Sequence, residues 1–435
     1  MINLPSWLSL SSFEKLRNIL LRQQYIASLL DLGRGIFGTD FGSVAFIVQG
    51  TLSKGRKGIY RRLYKGTILS EIRTVHAIEK LFLDKKINVY KIDQEAFNSI
   101  PGLPIAYWIP EEQLSLFENA KMLSYFAKPK QGLATADNNR FLRNWYEIDH
   151  ANFCVSATSM QTALSSGCKW FPTQKGGNFR RWYGNHEFVV NWFNNGFEIC
   201  NFTNASGKLK SRPQNLDCFF IPGITWTAIT TGDISLRYSP RGFISNAKGP
   251  EFFPDESIRN ILLGICNSSG AQALLTMLAP TLDYSQGPVG SLPIPNFSSL
   301  NNKKLVERLI YTAQVDWDSF ETSWDFQRFA LLDPNQGAQV GDLLEEAVSH
   351  LREYWDRVSE EQRQREIRNN EMVADAYGVR DDVPCDVLLE RVSLKRNVAF
   401  AYPKDTPEVR NEKFAQDVVK ELISYAVGCM FGRYS

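Results

Sequence analysis

The first part of the chain combines a helical and a strand-like spacing of apolar residues. Phe13, Leu16, Ile19 and Leu20 recur at helical intervals beside Ser11-Ser12-Phe13-Glu14, which has the spacing of a capping box. We therefore predict an amphipathic helix over residues 11–22. Two apolar runs at residues 26–32 and 44–48 predict buried strands joined by a glycine-rich turn. Because one helix and two strands cannot cover both faces of a sheet, residues 1–66 have the pattern of the closing segment of an α/β domain.

Further along, the pattern becomes β-rich and then helical. Basic residues between Lys54 and Arg62 indicate a connector, and residues 67–125 alternate short helical and extended runs, which predicts a connecting α/β segment. Residues 126–300 are rich in Gly, Asn and aromatic residues, which predicts a β-rich domain with long loops and with helices near 251–269 and 271–278. Residues 301–435 are helical and charged, most clearly from Gly341 to Tyr377. The predicted fold class is α+β.

The overall composition is that of a globular protein. Of the 435 residues, 43% are hydrophobic and 22% are charged, close to the averages for globular proteins. No uninterrupted apolar run approaches the 18 residues of a membrane span, and the N-terminus lacks the pattern of a secretory signal. We expect a cytoplasmic protein without a membrane segment.

The net charge of +2 conceals an uneven distribution. Residues 1–66 contain ten Lys and Arg against three Asp and Glu, and residues 167–248 contain ten against four. Residues 301–435 reverse the balance, with eighteen against twenty-five. Basic, aromatic-rich segments suit a polyanion, whereas mixed charge on long helices more often marks a solvated face.

One glycine motif has the spacing of a cofactor loop. Gly33-Arg34-Gly35-Ile36-Phe37-Gly38 matches G-x-G-x-x-G and follows a predicted strand. A phosphate-binding loop must open a helix whose amides face the anion, but the next ordered run is the predicted strand at 44–48. We favour a glycine-rich connection between strands, with a dinucleotide-binding loop as the alternative.

The segment from Lys169 to Arg241 interleaves cations, planar amides and aromatic rings. Such residues can neutralise phosphates, pair with base edges and stack on bases. The equally open alternative is an ordinary β domain with aromatic residues in its core and basic residues at its rim. The DNA-contact candidates in this segment are Lys169, Lys175, Arg180, Arg181, Trp182, Tyr183, Asn185, Lys210, Arg212, Gln214, Asn215, Arg237 and Tyr238.

A second polar segment, residues 128–142, also contains glycine and amides. Its Asp and Asn residues are more typical of turns than of a binding site. Its DNA-contact candidates are Thr135, Asn138, Asn139 and Arg140.

Signatures of catalytic sites are missing from the sequence. No Pro-Pro pair occurs, although an amino-group methyltransferase needs a [DNS]-P-P-[YFW] turn to hold the target base. A P-loop, an H-E-x-x-H motif and a recognisable Ser or Cys nucleophile are also missing. The seven cysteines and four histidines are too scattered for a zinc site or a disulfide framework. We predict no catalytic residue, no metal and no bound cofactor in this chain.

Several ordered runs of residues match one known family. They are Leu4-Pro5-Ser6-Trp7, residues 10–17, 32–38 and 40–46, Gln131-Gly132-Leu133-Ala134-Thr135, residues 137–143, Arg181-Trp182-Tyr183-Gly184-Asn185, Ser211-Arg212-Pro213-Gln214-Asn215, residues 279–282, 369–371 and 431–435. These runs resemble the BREX phage-defence adenine-specific DNA methyltransferases (PglX). Ala136 departs from the resemblance, since we expect glycine at that position.

The resemblance implies a longer enzyme, whose S-adenosylmethionine loop and N-P-P-Y turn precede the part matched by this chain. It implies that residues 1–66 close the methyltransferase catalytic domain, that residues 126–300 form the DNA target-recognition domain, and that residues 301–435 belong to a helical C-terminal region. Both ends of the chain are expected to be truncated.

The leading hypothesis is the target-recognition portion of a site-specific adenine-N6 DNA methyltransferase, which uses S-adenosylmethionine in its intact form. The partners implied are double-stranded DNA, the missing catalytic portion and other defence-system proteins. The alternatives are a non-enzymatic DNA- or protein-binding module on the same scaffold and an intact methyltransferase.

Overall fold

A computed structural model of the chain describes residues 1–38, 41–50, 55–64, 72–109, 114, 116–118, 120–230, 232–279, 283–298, 300–339, 341 and 343–434. Five features of the sequence analysis lie outside these residues: Asp40, Lys54, the boundary at residue 66, the run 280–282 and Ser435.

The described residues form fourteen strands and thirteen α-helices of four residues or more. The strands are β1 (Ile2–Asn3), β2 (Tyr25–Arg34), β3 (Gly42–Gln49), β4 (Lys57–Arg62), β5 (Val89–Asp93), β6 (Lys121–Met122), β7 (Leu142–Asn144), β8 (Trp170–Gln174), β9 (Phe188–Asn191), β10 (Gly223–Trp226), β11 (Leu236–Ser239), β12 (Ile244–Ser245), β13 (Glu251–Phe252) and β14 (Pro293–Ile294). The helices are α1 (Glu14–Gln23), α2 (Val75–Leu83), α3 (Leu123–Phe126), α4 (Asn138–Phe141), α5 (Met160–Ser166), α6 (Phe193–Cys200), α7 (Glu256–Asn267), α8 (Ser269–Leu278), α9 (Gln286–Gly290), α10 (Lys303–Asp318), α11 (Leu344–Tyr377), α12 (Val398–Ala401) and α13 (Pro407–Met430). The chain is therefore of mixed α+β class, with several small sheets.

The chain divides into two compact units. The N-terminal unit comprises Met1–Phe126, Ile229–Asp233 and Ala271–Asn296, and the C-terminal unit comprises Ala127–Ala228, Ile234–Gly270 and Phe297–Ser435. Ile229 forms a β-bridge with Asp283, which explains why the short segment Ile229–Asp233 belongs to the N-terminal unit.

The N-terminal unit is built on a five-stranded sheet of order β1-β3-β2-β4-β5. The pairing of β2 with β4 is parallel, and the other pairings are antiparallel. Helix α1 and the preceding turn pack Trp7, Leu20 and Leu21 into a core with Ile26 and Tyr60 of the sheet. The two strands predicted at 26–32 and 44–48 are confirmed as the β2–β3 hairpin.

The structure refines two of the boundaries predicted for this unit. Residues 57–62 of the predicted connector form β4, which pairs with β5 from the predicted connecting segment, so residues 1–66 do not stand apart from residues 67–125. Helix α1 begins at Glu14 instead of Ser11, because residues 11–13 form a tighter 3₁₀ turn.

The glycine motif at residues 33–38 follows β2 and belongs to its connection with β3. Gly33, Gly35 and Gly38 all have positive φ, which glycine adopts without a steric penalty. A Cβ atom at Gly35 would lie 2.1 Å from the carbonyl oxygen of Arg73. The buried carboxylate of Asp31 fixes the start of the connection, since it accepts hydrogen bonds from the Gly33 amide at 3.2 Å and from Tyr64 Oη at 2.7 Å. This confirms the strand connection and does not fit a cofactor loop that opens a helix.

The C-terminal unit contains two small sheets and the long helices. Strands β12-β8-β9-β7 form one sheet, and β11-β10-β13 form the other. Nearly all residues of β8 and β10 are buried, including the polar residues Thr173, Gln174 and Thr225. Helix α10 packs against both α7 and α11. The helix predicted from residue 341 to 377 is confirmed as α11, whereas residues 251–252 are strand, and α7 starts only after Pro254.

The predicted division between residues 300 and 301 does not separate two compact units. Residues of the β-rich part and the helices from α10 onward lie together in the C-terminal unit. Buried ion pairs, described below, join these two parts.

Within the described residues, no single helix is long and apolar enough to cross a membrane. Only the bent pair of α7 and α8, counted together, reaches the required length and hydropathy.

Candidate nucleic-acid interface

The predicted DNA-contact residues separate into three groups by exposure. Lys169, Lys210, Arg212, Asn138, Asn139 and Arg140 are exposed; Lys175, Gln214, Asn215 and Tyr238 are partly buried; Thr135, Arg180, Arg181, Trp182, Tyr183, Asn185 and Arg237 are buried. All lie in the C-terminal unit. Only the first group presents its side chains to a macromolecule without rearrangement.

Arg180 belongs to a buried ion pair. It is 5% exposed, and its Nη2 atom donates to Asp316 Oδ2 of α10 at 2.7 Å. The same carboxylate accepts from the main-chain amides of Lys395 and Arg396, each at 2.8 Å. From its position in α10, the buried Asp316 side chain thus contacts both the β-rich part and the segment before α12.

Arg181 and Trp182 share a second buried acceptor, Glu366 of α11. Arg181 Nη1 donates to Glu366 Oε2 at 3.1 Å, and Trp182 Nε1 donates to Glu366 Oε1 at 2.7 Å. Burial raises the pKa of Glu366, and the neighbouring Arg181 partly opposes that shift. Trp182 also has φ of +74°, which is rare for a bulky residue and shows that the surrounding packing dictates its conformation.

The other buried candidates are also interior residues. Arg237 is fully buried, and burial lowers its pKa to about 10. Asn185 donates to the carbonyl oxygen of Asn178 at 2.9 Å, and the Tyr183 ring packs edge-on against His186, whose pKa burial lowers to about 3. Arg180, Arg181, Trp182, Tyr183, Asn185 and Arg237 are thus packed inside the C-terminal unit, and their contact with DNA stays a prediction.

The partly buried candidates also make internal contacts. Gln214 and Asn215 donate their amides to the carbonyl oxygens of Gly132 and Gln131. Lys175 Nζ lies 4.0 Å from the centre of the Phe188 ring, and burial lowers its pKa. Tyr238 lines a separate pocket between α7 and α10. Lys175, Gln214 and Asn215 thus make contacts within the fold, and the DNA contact of all four residues stays a prediction.

The exposed cations are brought together on one surface. Arg140 Cζ and Lys210 Nζ lie 5.0 and 4.5 Å from the centre of the same ring, that of Phe202. Arg212 forms a main-chain bridge with Ala134, four residues before Asn138. We call this surface, formed by Arg140, Lys169, Lys208, Lys210 and Arg212, the basic face.

Glu198 connects Lys169 to this surface. Its Oε1 atom accepts from Arg140 Nε at 2.8 Å, and its side chain lines a pocket of about 380 Å³ together with Lys169. Both Glu198 oxygens are already bound, since Oε2 accepts from Asn191 Nδ2 at 2.9 Å. The Glu198 carboxylate is therefore already engaged by contacts within the protein.

Sequence reasoning missed an exposed turn beside the basic face. We call residues 193–197 the aromatic turn: Phe193 and Phe197 are 54% and 64% exposed, and Asn194, Asn195 and Gly196 between them all have left-handed backbone angles. Asn and Gly are the residues that tolerate this conformation best. The triplet Asn194-Asn195-Gly196 between two phenylalanines was therefore the available signal in the sequence.

Residues 135–140 form a compact turn at the edge of the basic face. Thr135 Oγ1 donates to Asn138 Oδ1 at 2.6 Å, and Asp137 caps α4 by accepting from the Arg140 amide at 3.1 Å. This agrees with the favoured interpretation of the segment as a turn, while Asn138, Asn139 and Arg140 remain exposed.

Ala136 has φ of +61°, a left-handed conformation that costs a residue with Cβ about 1–2 kcal/mol. We expect Ala136→Gly to raise the free energy of unfolding by about 0.5–1 kcal/mol, after allowing for the greater freedom of glycine in the unfolded chain. Urea denaturation of the two proteins measures the change. Ala347→Gly within α11 is the matched control and should lower stability by about 1 kcal/mol. A loss of stability at both positions would contradict the strained turn.

The described residues contain no group of three or more His, Cys, Asp or Glu side chains placed to hold a metal ion. All seven cysteines are free.

Two curated proteins are similar to the whole chain, and no family model matches it. The adenine-specific methyltransferase PglX of Lacticaseibacillus casei (strain Zhang) is 32% identical over 443 residues, covering 100% of this chain and 35% of that protein. The adenine-specific methyltransferase BrxX of Escherichia coli O9:H4 (strain HS) is 30% identical over 441 residues, covering 100% of this chain and 34% of that protein. The chain thus spans about a third of the length of these relatives.

Solved structures show weaker similarity. The type IIL restriction-modification enzyme MmeI in complex with DNA matches 95% of this chain and 49% of its own, with 12% identity and a TM-score of 0.46. The type IIG restriction endonuclease BpuSI matches 87% of this chain and 47% of its own, with 11% identity and a TM-score of 0.28. Similarity at this level supports no inference about function.

Proposed function

The chain belongs to the PglX family of adenine-specific methyltransferases, and from this premise we propose that it is the portion of such an enzyme that recognises the DNA target. In this proposal the intact enzyme transfers a methyl group from S-adenosylmethionine to the N6 atom of adenine in a BREX-like phage-defence system. The C-terminal unit of this chain binds double-stranded DNA and sets the sequence that is methylated.

The basic face is the observation that carries the proposal. Its five cations are solvent-exposed, and the contacts of Phe202 and Glu198 place Arg140 beside Lys210 and connect it to the pocket of Lys169. Exposed cations on one surface lower the free energy of DNA binding by releasing counterions from the phosphates. The exposed amides of Asn138 and Asn139 lie at the edge of this surface and supply groups that can pair with base edges.

Methyl transfer is proposed for the intact enzyme and not for this chain alone. The Gly33–Gly38 loop does not fit S-adenosylmethionine, because it connects antiparallel strands and Gly35 is packed against the Arg73 carbonyl. The sequence also contains no Pro-Pro pair for an N-P-P-Y turn. We propose that the catalytic portion and other defence-system proteins are its protein partners.

Neutralising the basic face tests the proposal. We expect the triple variant Lys169→Gln, Lys210→Gln, Arg212→Gln to bind a 30-base-pair duplex about tenfold or more weakly at 0.1 M salt, because up to three phosphate contacts are lost. The slope of log affinity against log salt should become shallower by up to about 3. Fluorescence anisotropy with a labelled duplex measures both quantities.

The matched control removes the same charge elsewhere in the C-terminal unit. Lys303, Lys304 and Lys404 are exposed lysines outside the basic face, and their triple change to Gln should leave the slope nearly unchanged. Equal losses in both triple variants would show that net charge alone governs binding, and unchanged binding in the first would exclude the basic face.

A non-enzymatic protein-binding module is the alternative from another class. Its specific support is that the chain itself lacks the motifs for catalysis. Capture of a protein partner that is insensitive to salt, with no duplex binding at low salt, would favour this alternative over DNA recognition.

A further inference from the structure

The pocket beside the basic face combines aromatic rings, amides and a cation with the Glu198 carboxylate, whose two oxygens are already engaged by Arg140 and Asn191. Its walls include the exposed rings of Phe193 and Phe197, the amides of Asn152 and Asn194, and the ammonium group of Lys169, around a volume of about 380 Å³. Rings, amides and a cation are the groups that proteins use for the face, the edge and the phosphate of a nucleotide.

The aromatic turn packs against buried side chains of the C-terminal unit. A Cβ atom at Gly196 would lie 2.4 Å from the ring of Trp192, which is itself 1% exposed. Asn191 Oδ1 accepts from the Phe193 amide at 3.2 Å, and the Asn191 side chain is fixed in turn by Glu198. The exposed rings are thus positioned by a buried support, which lowers the entropy lost on binding.

The backbone of the turn is costly to maintain. Three consecutive left-handed residues, with φ of 51°, 54° and 73°, break the helical path of α6. Such conformations persist where the surrounding structure enforces them, and they concentrate at binding sites. As a result, Phe193 and Phe197 each expose more than half of their surface to solvent.

We propose that this pocket accepts one unpaired nucleobase of the bound DNA, which stacks on Phe193 and Phe197 while Asn194 contacts its edge and Lys169 contacts the adjoining phosphate. A base within a duplex is stacked on both faces, so only an extruded or unpaired base can present its face to these rings. Among the described residues, no group takes up the Asn194 amide, which leaves it available to the ligand. The inference rests on the proposed binding of DNA by the basic face.

The test uses the full chain and a single-stranded oligonucleotide that carries one 2-aminopurine, whose fluorescence falls when it stacks. We expect the wild-type chain to quench this fluorescence on binding. The double variant Phe193→Leu, Phe197→Leu keeps apolar bulk but removes the rings; it should abolish the quenching and weaken binding of the oligonucleotide about tenfold or more. Asn194→Gly keeps the left-handed backbone without the amide and should weaken binding about tenfold.

Tyr311→Ala is the control, because Tyr311 is an aromatic residue of the C-terminal unit that is 60% exposed away from this pocket. Thermal unfolding of every variant checks that the fold is kept. Salt-dependent duplex binding with unchanged quenching in the double leucine variant would overturn the pocket and leave the proposed function intact. Absence of binding to both duplex and single strand would overturn the proposed function itself.

Discussion

Replacing Asp316 by alanine is expected to lower the free energy of unfolding of the C-terminal unit by about 3–5 kcal/mol. The side chain is fully buried and accepts from Arg180 and from the main-chain amides of Lys395 and Arg396. Without the carboxylate, the buried Arg180 has lost its ion-pair partner, and two main-chain amides lose their acceptor. Guanidinium denaturation followed by tryptophan fluorescence measures the loss.

An exposed ion pair provides the comparison. Arg357 is 62% exposed and pairs with Glu361 one turn along α11, so Arg357→Ala should cost less than 1 kcal/mol. If Asp316→Ala costs no more than Arg357→Ala, the hydrogen bonds of Asp316 do not join the β-rich part to the helices.

The second large effect is expected at Glu366. Removing only this carboxylate, as in Glu366→Leu, leaves Arg181 buried without its ion-pair partner and Trp182 without its acceptor, and should cost about 3–5 kcal/mol. Replacing both charged residues, as in Arg181→Met with Glu366→Leu, should recover the part of that loss that comes from the unpaired Arg181, while Trp182 Nε1 stays without its acceptor. A double-mutant cycle measured by denaturation separates these contributions.

The same double variant also tests the assignment of Arg181 to the interior. Because Arg181 is 8% exposed and faces Glu366, the refolded double variant should bind duplex DNA with the wild-type affinity and salt slope. A loss of DNA affinity in a stably folded double variant would return Arg181 to the interface.

Local patterns predicted the regular elements well. The β2–β3 hairpin and helix α11 follow directly from apolar spacing, because each buries one continuous face. The pairing of β4 with β5 was not predictable in the same way, since these strands are separated by α2 and their pairing is a tertiary contact. The ion pairs of Asp316 with Arg180 and of Glu366 with Arg181 likewise join two parts of the chain that differ in composition and lie more than 130 positions apart.

In the candidate site, the sequence pattern did not distinguish buried cations from exposed ones. Interleaved cations and aromatic rings occur both at 179–185, where they are buried, and near 208–212, where the cations are exposed. A buried arginine needs an acid and packing rings, whereas an exposed arginine needs only solvent or a polyanion. The same local residue types can serve both situations. The buried acids Asp316 and Glu366 lie in helices whose charge had suggested only a solvated face. Burial distinguishes the two cases, and the local sequence alone does not determine it.

Hydrogen–deuterium exchange of the chain with and without a duplex tests most directly whether the basic face binds DNA. If the basic face binds DNA, amide exchange becomes slower in residues 134–143 and 193–212 and does not change in residues 344–377 of α11. Protection confined to α11 or to residues 407–430 of α13, with none on the basic face, would contradict DNA binding at this surface.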